Sequence, residues 1–391
     1  MPMSRDALRK KPEPAMHEIR LFTPFSSRGI TFSNRIVVSP MCQYRAVEGA
    51  VNAWHLAHHA RFALGGVGGA VIEATAVERD GRISEGCLGL WDDSQIEGFR
   101  QLAGLYHGQG IPVGVQIGHA GRKGSSASPW DGAGPLASAS PARGWQTVAP
   151  SAIAHAQDWP IPAALDEAGV ARIIGSFAAS ARRAVSAGLD FVEVHGAHGY
   201  LLHEFLSPIS NSRTDRYGGT LENRARFALD AAQAVRRAVP DTMPVWYRAS
   251  CVDESAGGVT LDETIELARR LKDIGIDLVD CSSGGIRGPV ARSMRAEAPG
   301  HQVPYAERIR REAGIPTMAV GLITEPGQAD AIVSEGSADL VAIARELLAD
   351  PNFVYRAARS LGHPAPHALL PENFAFFLAR RNMQAPNATS T

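Results

Sequence analysis

The sequence predicts a closed (β/α)8 barrel, and three observations carry that prediction. Eight short, apolar, β-branched-rich runs recur along the chain. Amphipathic helical stretches lie between them, and every run closes on polar or small residues. The runs occupy 35–39 (RIVVS), 70–74 (AVIEA), 112–117 (PVGVQI), 190–195 (DFVEVH), 245–249 (VWYRA), 277–282 (DLVDCS), 316–321 (PTMAVG) and 339–344 (DLVAIA). Near-continuous apolar runs belong to parallel strands buried on both faces, whereas half-exposed strands alternate. Eight strand–helix units close most simply into a barrel of ~250 residues, which leaves room in 391 for insertions. A doubly wound sheet would need a Gly-rich phosphate turn after an early strand. Gly65-Gly66-Val67-Gly68-Gly69 instead precedes the second strand and reads as a helix-to-strand connection.

Taken in order, residues 1–17 form a charged, Pro-broken tail without the apolar core of a secretory signal. The barrel itself spans 18–362. Helical periodicity fills 94–109, 167–187, 221–239 and 261–274. Gly110, Gly188, Gly275 and Gly314 stop helices just before the third, fourth, sixth and seventh strands, the C-cap chemistry of repeated αβ units. Residues 118–162, dense in Gly, Ser, Ala and Pro, are too long for a bare connection. They are expected to cap the barrel mouth, with a hairpin around 150–155. The extension 363–391 carries the apolar FAFFLA segment, which predicts a terminal helix over 370–381 that docks on a neighbouring subunit, followed by a loose end.

Composition narrows the function classes. With 39 Lys+Arg against 40 Asp+Glu, bulk charge does not hold nucleic acid or an anionic membrane. No stretch approaches the 18 apolar residues of a spanning helix. Cys42, Cys87, Cys251 and Cys281 are far apart and form no C-x-x-C pair, which argues against a zinc ribbon, a cysteine-ligated iron–sulfur cluster and a disulfide framework. A reducing, cytoplasmic location is expected.

Barrel enzymes place their chemistry at the C-terminal ends of the strands. Those ends read Ser39-Pro40-Met41-Cys42-Gln43-Tyr44; Glu73-Ala74-Thr75; Gln116 with His119, Arg122 and Lys123 beyond; His195 through His198 to Tyr200; Arg248; Ser282 to Gly285; Gly321; and Ala344-Arg345. The last two lie where barrels commonly bind phosphate. Arg345 would add a charge-assisted contact there, unless it merely pairs with Glu346 or Asp350. His195 and His198 admit three readings: a metal pair, which no neighbouring carboxylate pair or H-E-x-x-H supports; imidazoles satisfied by backbone; or donors to a substrate oxygen, with Tyr200 as a proton source. Cys42 by itself would be an inert thiol. His55, His58 and His59 cluster away from the strand ends and read as structural.

Five segments together carry a resemblance: SPMCQY (39–44), EATAV (73–77), VQIGHAGRK (115–123), HGAHGYLLHEFLSPISNSRTDRYGGTLENR (195–224) and DLVAIARELLADP (339–351). In this order they resemble the old yellow enzyme family of flavin reductases over roughly residues 18–360. Cys42 with the His195/His198 pair resembles its thermophilic-like subgroup. The resemblance implies FMN over the mouth, with Ser39, Pro40, Met41 and Cys42 along the ring, Ala74 touching it by backbone, and Gln116 at its pyrimidine edge. It also implies Arg248 near the atoms that gather negative charge on reduction, and Gly321, Ala344 and Arg345 at the phosphate. His195 and His198 would grip a carbonyl or nitro oxygen, Tyr44 would border the pocket, and Tyr200 would protonate the α-carbon while flavin N5 delivers hydride to the β-carbon. NADPH or NADH would reduce the flavin in the same space. The implied activity is reduction of activated alkenes by a homodimer or homotetramer. A phosphate-ester lyase or isomerase on the same barrel, or a flavin-binding protein without turnover, are the alternatives. Two departures are visible: Ala344 stands where the family commonly has Gly, and the C-terminus differs, so that Phe377, Arg380 or Arg381 is the candidate to reach a neighbouring site.

Overall fold

The structure, a computed structural model, describes residues 19–136, 143–287 and 298–384. Its centre is a closed barrel of eight parallel strands: β1 (Ile36–Val38), β2 (Gly69–Ala76), β3 (Val113–Gly118), β4 (Phe191–Gly196), β5 (Val245–Ser250), β6 (Leu278–Ser282), β7 (Thr317–Ala319) and β8 (Leu340–Ile343). Each pairs with its neighbours in chain order, and β8 returns to β1, so no edge strand is left open. Helices α1 (Ala53–Ala63), α2 (Ile96–His107), α3 (Glu167–Ser186), α4 (Leu221–Ala238), α5 (Leu261–Asp273), α6 (Val303–Ala313), α7 (Pro326–Ser334) and α8 (Phe353–Ser360) follow the strands in turn. The fold is the (β/α)8 barrel expected from the apolar runs.

Local chemistry explains the element limits. Asn52 begins α1, accepting from Trp54 N at 3.0 Å, while His55 Nδ1 accepts from Asn52 N at 3.1 Å. Thr260 and Glu263 form a reciprocal capping box on α5. The four glycines expected at helix ends, Gly110, Gly188, Gly275 and Gly314, all have φ between 64° and 91°, a left-handed geometry that costs other residues energy. His55, His58 and His59 are buried, and His59 Nδ1 lies 2.8 Å from Tyr106 Oη.

Two hydrophobic layers hold the barrel. Between strands and helices lies a large cluster that includes Phe62, Phe99, Phe177, Phe227 and Phe353. Inside the barrel, Val37, Val71, Phe191, Trp246, Leu278, Met318 and Leu340 fill the lumen. An antiparallel hairpin, Phe25–Ser27 with Ile30–Phe32, delivers Phe32 to that inner cluster. The Phe32 ring centroid is 5.8 Å from Phe191 and 5.5 Å from Trp246, and the latter two are 4.1 Å apart. These aromatics make the lower part of the barrel a solid plug.

The stretch after β3 departs from expectation in one respect. No hairpin forms around 150–155; the two-residue strands Val148–Ala149 and Ala163–Ala164 pair in parallel instead. Parallel pairing needs a crossover between partners, and the intervening residues supply it. The terminal helix is present as Glu372–Gln384. Phe374, Phe376 and Phe377 remain exposed on it, while the expected loose end from 385 lies outside the described residues. Among the described residues no helix is long and apolar enough to cross a membrane.

Phe32→Ala removes the ring that ties the hairpin to the lumen and should cost about 3–5 kcal/mol. The drop is to be read as a lower urea midpoint at unchanged m-value; an unchanged midpoint would mean that the hairpin is not part of the core.

Candidate active site

Strand register gathers the polar residues at the upper end of the lumen. Gln116 on β3 is the ladder partner of Glu193 on β4, His195 of Arg248 on β5, and Arg248 of Asp280 on β6. Side chains two residues apart share a face, so Glu193 and His195 point into the lumen together. Gln116 Nε2 donates to Glu193 Oε1 at 2.7 Å. Arg248 Nε sits 3.0 Å from Asp280 Oδ2, close enough to pair but not aligned as a hydrogen bond, and its Nη1 reaches Ser39 Oγ at 3.5 Å. Burial raises the Glu193 pKa, and the Asp280 charge raises it further against the pull of Arg248. Burial raises the Asp280 pKa as well, against the pull of the same guanidinium, so Arg248 faces two buried acids that both favour their protons and makes its close contact with Asp280.

Above this layer His195, His198 and Tyr200 converge. The His195 ring centroid is 5.2 Å from that of His198 and 5.1 Å from that of Tyr200. His198 takes φ of +61°, its N–H donates to Ser250 Oγ at 2.9 Å, and its Nε2 lies 2.8 Å from Ser282 Oγ. Lys123 Nζ donates to His198 O at 2.7 Å and Gly285 O at 2.9 Å, and stands 5.1 Å from the Tyr200 ring centroid. A further lock lies behind the loop. Gly199 N–H donates to His203 Nδ1 at 2.8 Å, so Nε2 carries the ring proton toward Asp253 Oδ1, 2.6 Å away.

The electrostatics keep this corner uncharged. Burial lowers the His195 pKa well below the imidazole range, and Arg248, His203 and Lys123 push the same way. Its buried Nδ1 has no hydrogen-bond partner among the described residues. Burial raises Tyr200 well above the phenol range, with Cys42 and Cys87 adding to it. It also raises the Cys42 thiol, as do Cys87 and Glu73. Cys42, Tyr44, Ala74 and Tyr200 pack around Ile83, Cys87 and Ala120. Next to them a narrow slot runs past Gly118, His119 and His195. Glu73, pushed up to about 8 by burial, accepts from Gln43 N at 3.0 Å and holds the segment that carries Cys42.

A second cavity of about 170 Å3 leads from Arg248 to the ends of β7 and β8, where Gly321, Ala344 and Arg345 line it. Gly321 has φ of +110°, and a Cβ there would lie 3.0 Å from Gln302 Oε1 and His301 Cε1. Arg345 does not pair with Glu346 or Asp350; Arg356 does, at 2.8 Å to each. The cavity thus has guanidiniums from Arg248 and Arg345 and a glycine where backbone must stay bare; Pro40 and Met41 are half-buried and do not line it, Met41 packing against the layer between strands and helices. Those features fit an elongated cofactor with a polar ring edge and a phosphate terminus, such as FMN.

The structure thus brings Cys42, Tyr44, Ala74, His195, His198 and Tyr200 into one corner, Ser39, Gln116 and Arg248 beneath it, and Gly321, Ala344 and Arg345 along the adjoining cavity. Phe377, Arg380 and Arg381 lie elsewhere, on a helix that packs against the Pro366–Leu369 turn and lines neither cavity. Sequence reasoning missed the roles of Glu193, Asp280, Ser250 and Ser282. Glu193 and Asp280 lie inside apolar runs, where ladder register was the signal needed to find them; Ser282 was marked only as a strand end, and Ser250 falls one residue beyond the run read for its strand.

Comparison with known proteins agrees with this geometry. The model of the NADH:flavin oxidoreductase / NADH oxidase family matches residues 20–363. An NADPH dehydrogenase of Geobacillus sp. (strain WCH70) is 45% identical over 347 residues, which cover 88% of this chain and 95% of that protein. An old yellow enzyme homologue from Zymomonas mobilis superposes with a TM-score of 0.71 at 25% identity, over 88% of this chain and 93% of that one. A 2-naphthoyl-CoA reductase gives a TM-score of 0.78 at 25% identity over 90% of this chain, which spans only 53% of that longer one. The barrel, the polar mouth and these matches lead to one conclusion: the chain belongs to the NADH:flavin oxidoreductase / NADH oxidase family, the family of old yellow enzyme.

Proposed function

We propose that this FMN-dependent NADPH dehydrogenase is an ene-reductase, reducing the activated C=C bond of α,β-unsaturated carbonyl, maleimide or nitro compounds. The observation that carries the reading is the convergence of His195, His198 and Tyr200 on one corner of the mouth, with the His195 imidazole held neutral and the phenol protonated. Bound FMN would supply two-electron transfer between the reduced nicotinamide and the alkene. Ser39, Pro40, Met41, Ala74 and Gln116 would hold its ring, and Gly321, Ala344 and Arg345 its phosphate.

The residues of this chain then divide the remaining work. His195 and His198 donate to the carbonyl or nitro oxygen, and that withdrawal of density makes the β-carbon electrophilic. A neutral imidazole has one ring proton to donate. His198 is oriented for this by Ser250 and Ser282. Tyr200 delivers its proton to the α-carbon. Its raised pKa keeps that proton in place until negative charge develops next to it. Arg248 offers a fixed positive charge where electron density collects. Cys42, kept as a thiol, tunes the site without acting as a nucleophile. Tyr44 borders the substrate space. The partners are small molecules. The exposed Phe374, Phe376 and Phe377, 40%, 49% and 69% accessible, favour a homo-oligomer over a monomer. A lyase or isomerase on the same barrel would be colourless, and a silent flavin binder would not be bleached by NADPH.

Tyr200→Phe should slow alkene reduction by about 10²-fold or more and leave flavin reduction by NADPH nearly intact, as followed by stopped-flow of each half-reaction. Equal losses in both would remove Tyr200 as the proton donor. Replacing His195 and His198 together by Ala should abolish the long-wavelength absorbance of a bound phenol. A retained band would assign the oxygen grip to other groups. Cys42→Ala should shift the flavin potential while turnover continues. In the native protein, alkylation of Cys42 at pH 8.5 should run at least about tenfold slower than that of free cysteine, because a raised pKa means less thiolate. Mass spectrometry of the Cys42 peptide measures it, and a rate equal to free cysteine would contradict the raised pKa.

A further inference from the structure

A large cleft beyond Tyr44 is not used by anything described so far. It encloses about 920 Å3 and is walled by the loops that follow β1, β2 and β3, all on the catalytic face of the barrel. That volume lies at the upper end of what small-molecule sites offer. Four guanidiniums line it against the three carboxylates of Glu48, Glu85 and Asp131, which leaves one positive charge in excess. Arg79 is paired with Glu48, and Arg143 with Glu85. Arg45 and Arg82 have no carboxylate in ion-pair contact among the described residues. Arg45 stands exposed, 5.0 Å from the Trp54 ring centroid and 6.0 Å from that of Trp130. Arg82 is buried between Trp91 and Trp145, at 5.6 and 5.0 Å, and among the described residues donates only to the carbonyls of Arg79 and Glu85. Trp130 is 62% accessible, and its ring meets Tyr44 edge-on at 5.7 Å.

Cations in excess of their ion pairs, beside an exposed indole face, suit a ligand that carries both phosphate and a planar base. Arg82 lines both this cleft and the slot beside His195 and Tyr200, and Tyr44 packs in one cluster with Tyr200, so a single molecule can reach from the cleft to the mouth where the nicotinamide would be oxidised. We propose that the cleft binds the phosphorylated adenosine half of NADPH, with Arg45 facing its phosphates and Trp130 its adenine. The inference rests on nicotinamide oxidation beside Tyr44, and it assigns Arg45 and Trp130 as specificity residues for the reductant, outside the reacting atoms. Ionic contact through exposed Arg45 also makes binding of this reductant dependent on salt.

The test compares NADPH with reduced nicotinamide mononucleotide, which delivers the same hydride but lacks the adenosine half. Both are used to reduce the flavin of the holoenzyme, wild type, Arg45→Ala and Trp130→Ala. The expected result is a rise of about tenfold in the NADPH KM for Arg45→Ala, at little change in kcat, with a flatter salt dependence. Trp130→Ala should raise it several-fold. With the mononucleotide both variants should follow wild type. An unchanged NADPH KM, or an equal rise with the mononucleotide, would overturn the assignment. Both residues are solvent-facing, and flavin content checks the fold. Alkene reduction by dithionite-reduced enzyme is measured separately, so failure of the ene-reductase reading would show there and not in the reductive half-reaction.

Discussion

Arg248 has to carry its charge inside the top of a closed barrel, and much of the site follows from how that is arranged. Its ladder partner on one side is Asp280 and on the other His195. The acid it contacts and the imidazole it keeps neutral are therefore fixed by strand register. An isolated buried cation would be strongly destabilising. The Asp280 contact offsets part of that cost, and on the other side Nη1 reaches Ser39 Oγ at 3.5 Å. Glu193 completes the layer by favouring its proton, so two acids and one base do not leave a surplus of negative charge under a site that must gather electrons.

The neutrality of the upper corner is the counterpart of that buried pair. His195, Tyr200 and Cys42 all have pKa values displaced away from their charged forms, with desolvation as the first cause in each. A resident imidazolium or thiolate in this buried corner would need its own counter-ion, and neutral side chains need none. Lys123 is the nearby exception. Its pKa is lowered to about 8 by burial, and its ammonium is spent on two backbone carbonyls that hold the loops in place.

The barrel was legible because its strands are apolar along their whole length, and because the helix-ending glycines before β3, β4, β6 and β7 sit at predictable spacing. The corner formed by His195, His198 and Tyr200 was legible for a different reason: all three fall within six consecutive positions, so local sequence nearly fixes their separation. The layer beneath was not. Glu193 and Asp280 look like stray acids in apolar runs until the ladder shows them flanking Arg248 and Gln116. The parallel pairing of Val148–Ala149 with Ala163–Ala164 was equally hidden, since two-residue strands leave no periodicity to read. The Arg- and Trp-lined cleft draws on three separate loops and could not be assembled from any one of them.

The meeting of the β4 and β6 loops has a further consequence. A Cβ on Gly199 would fall 2.2 Å from Gly285 O, and one on Gly285 2.6 Å from the His198 backbone, while Lys123 staples both strands of chain from below. Neither loop has slack with which to accommodate the other. Anyone reshaping this catalyst by transplanting the histidine-bearing segment from a cousin would have to carry the serine–glycine segment and the lysine with it as one cassette. Separate exchanges would produce scaffolds that fold around a misplaced imidazole.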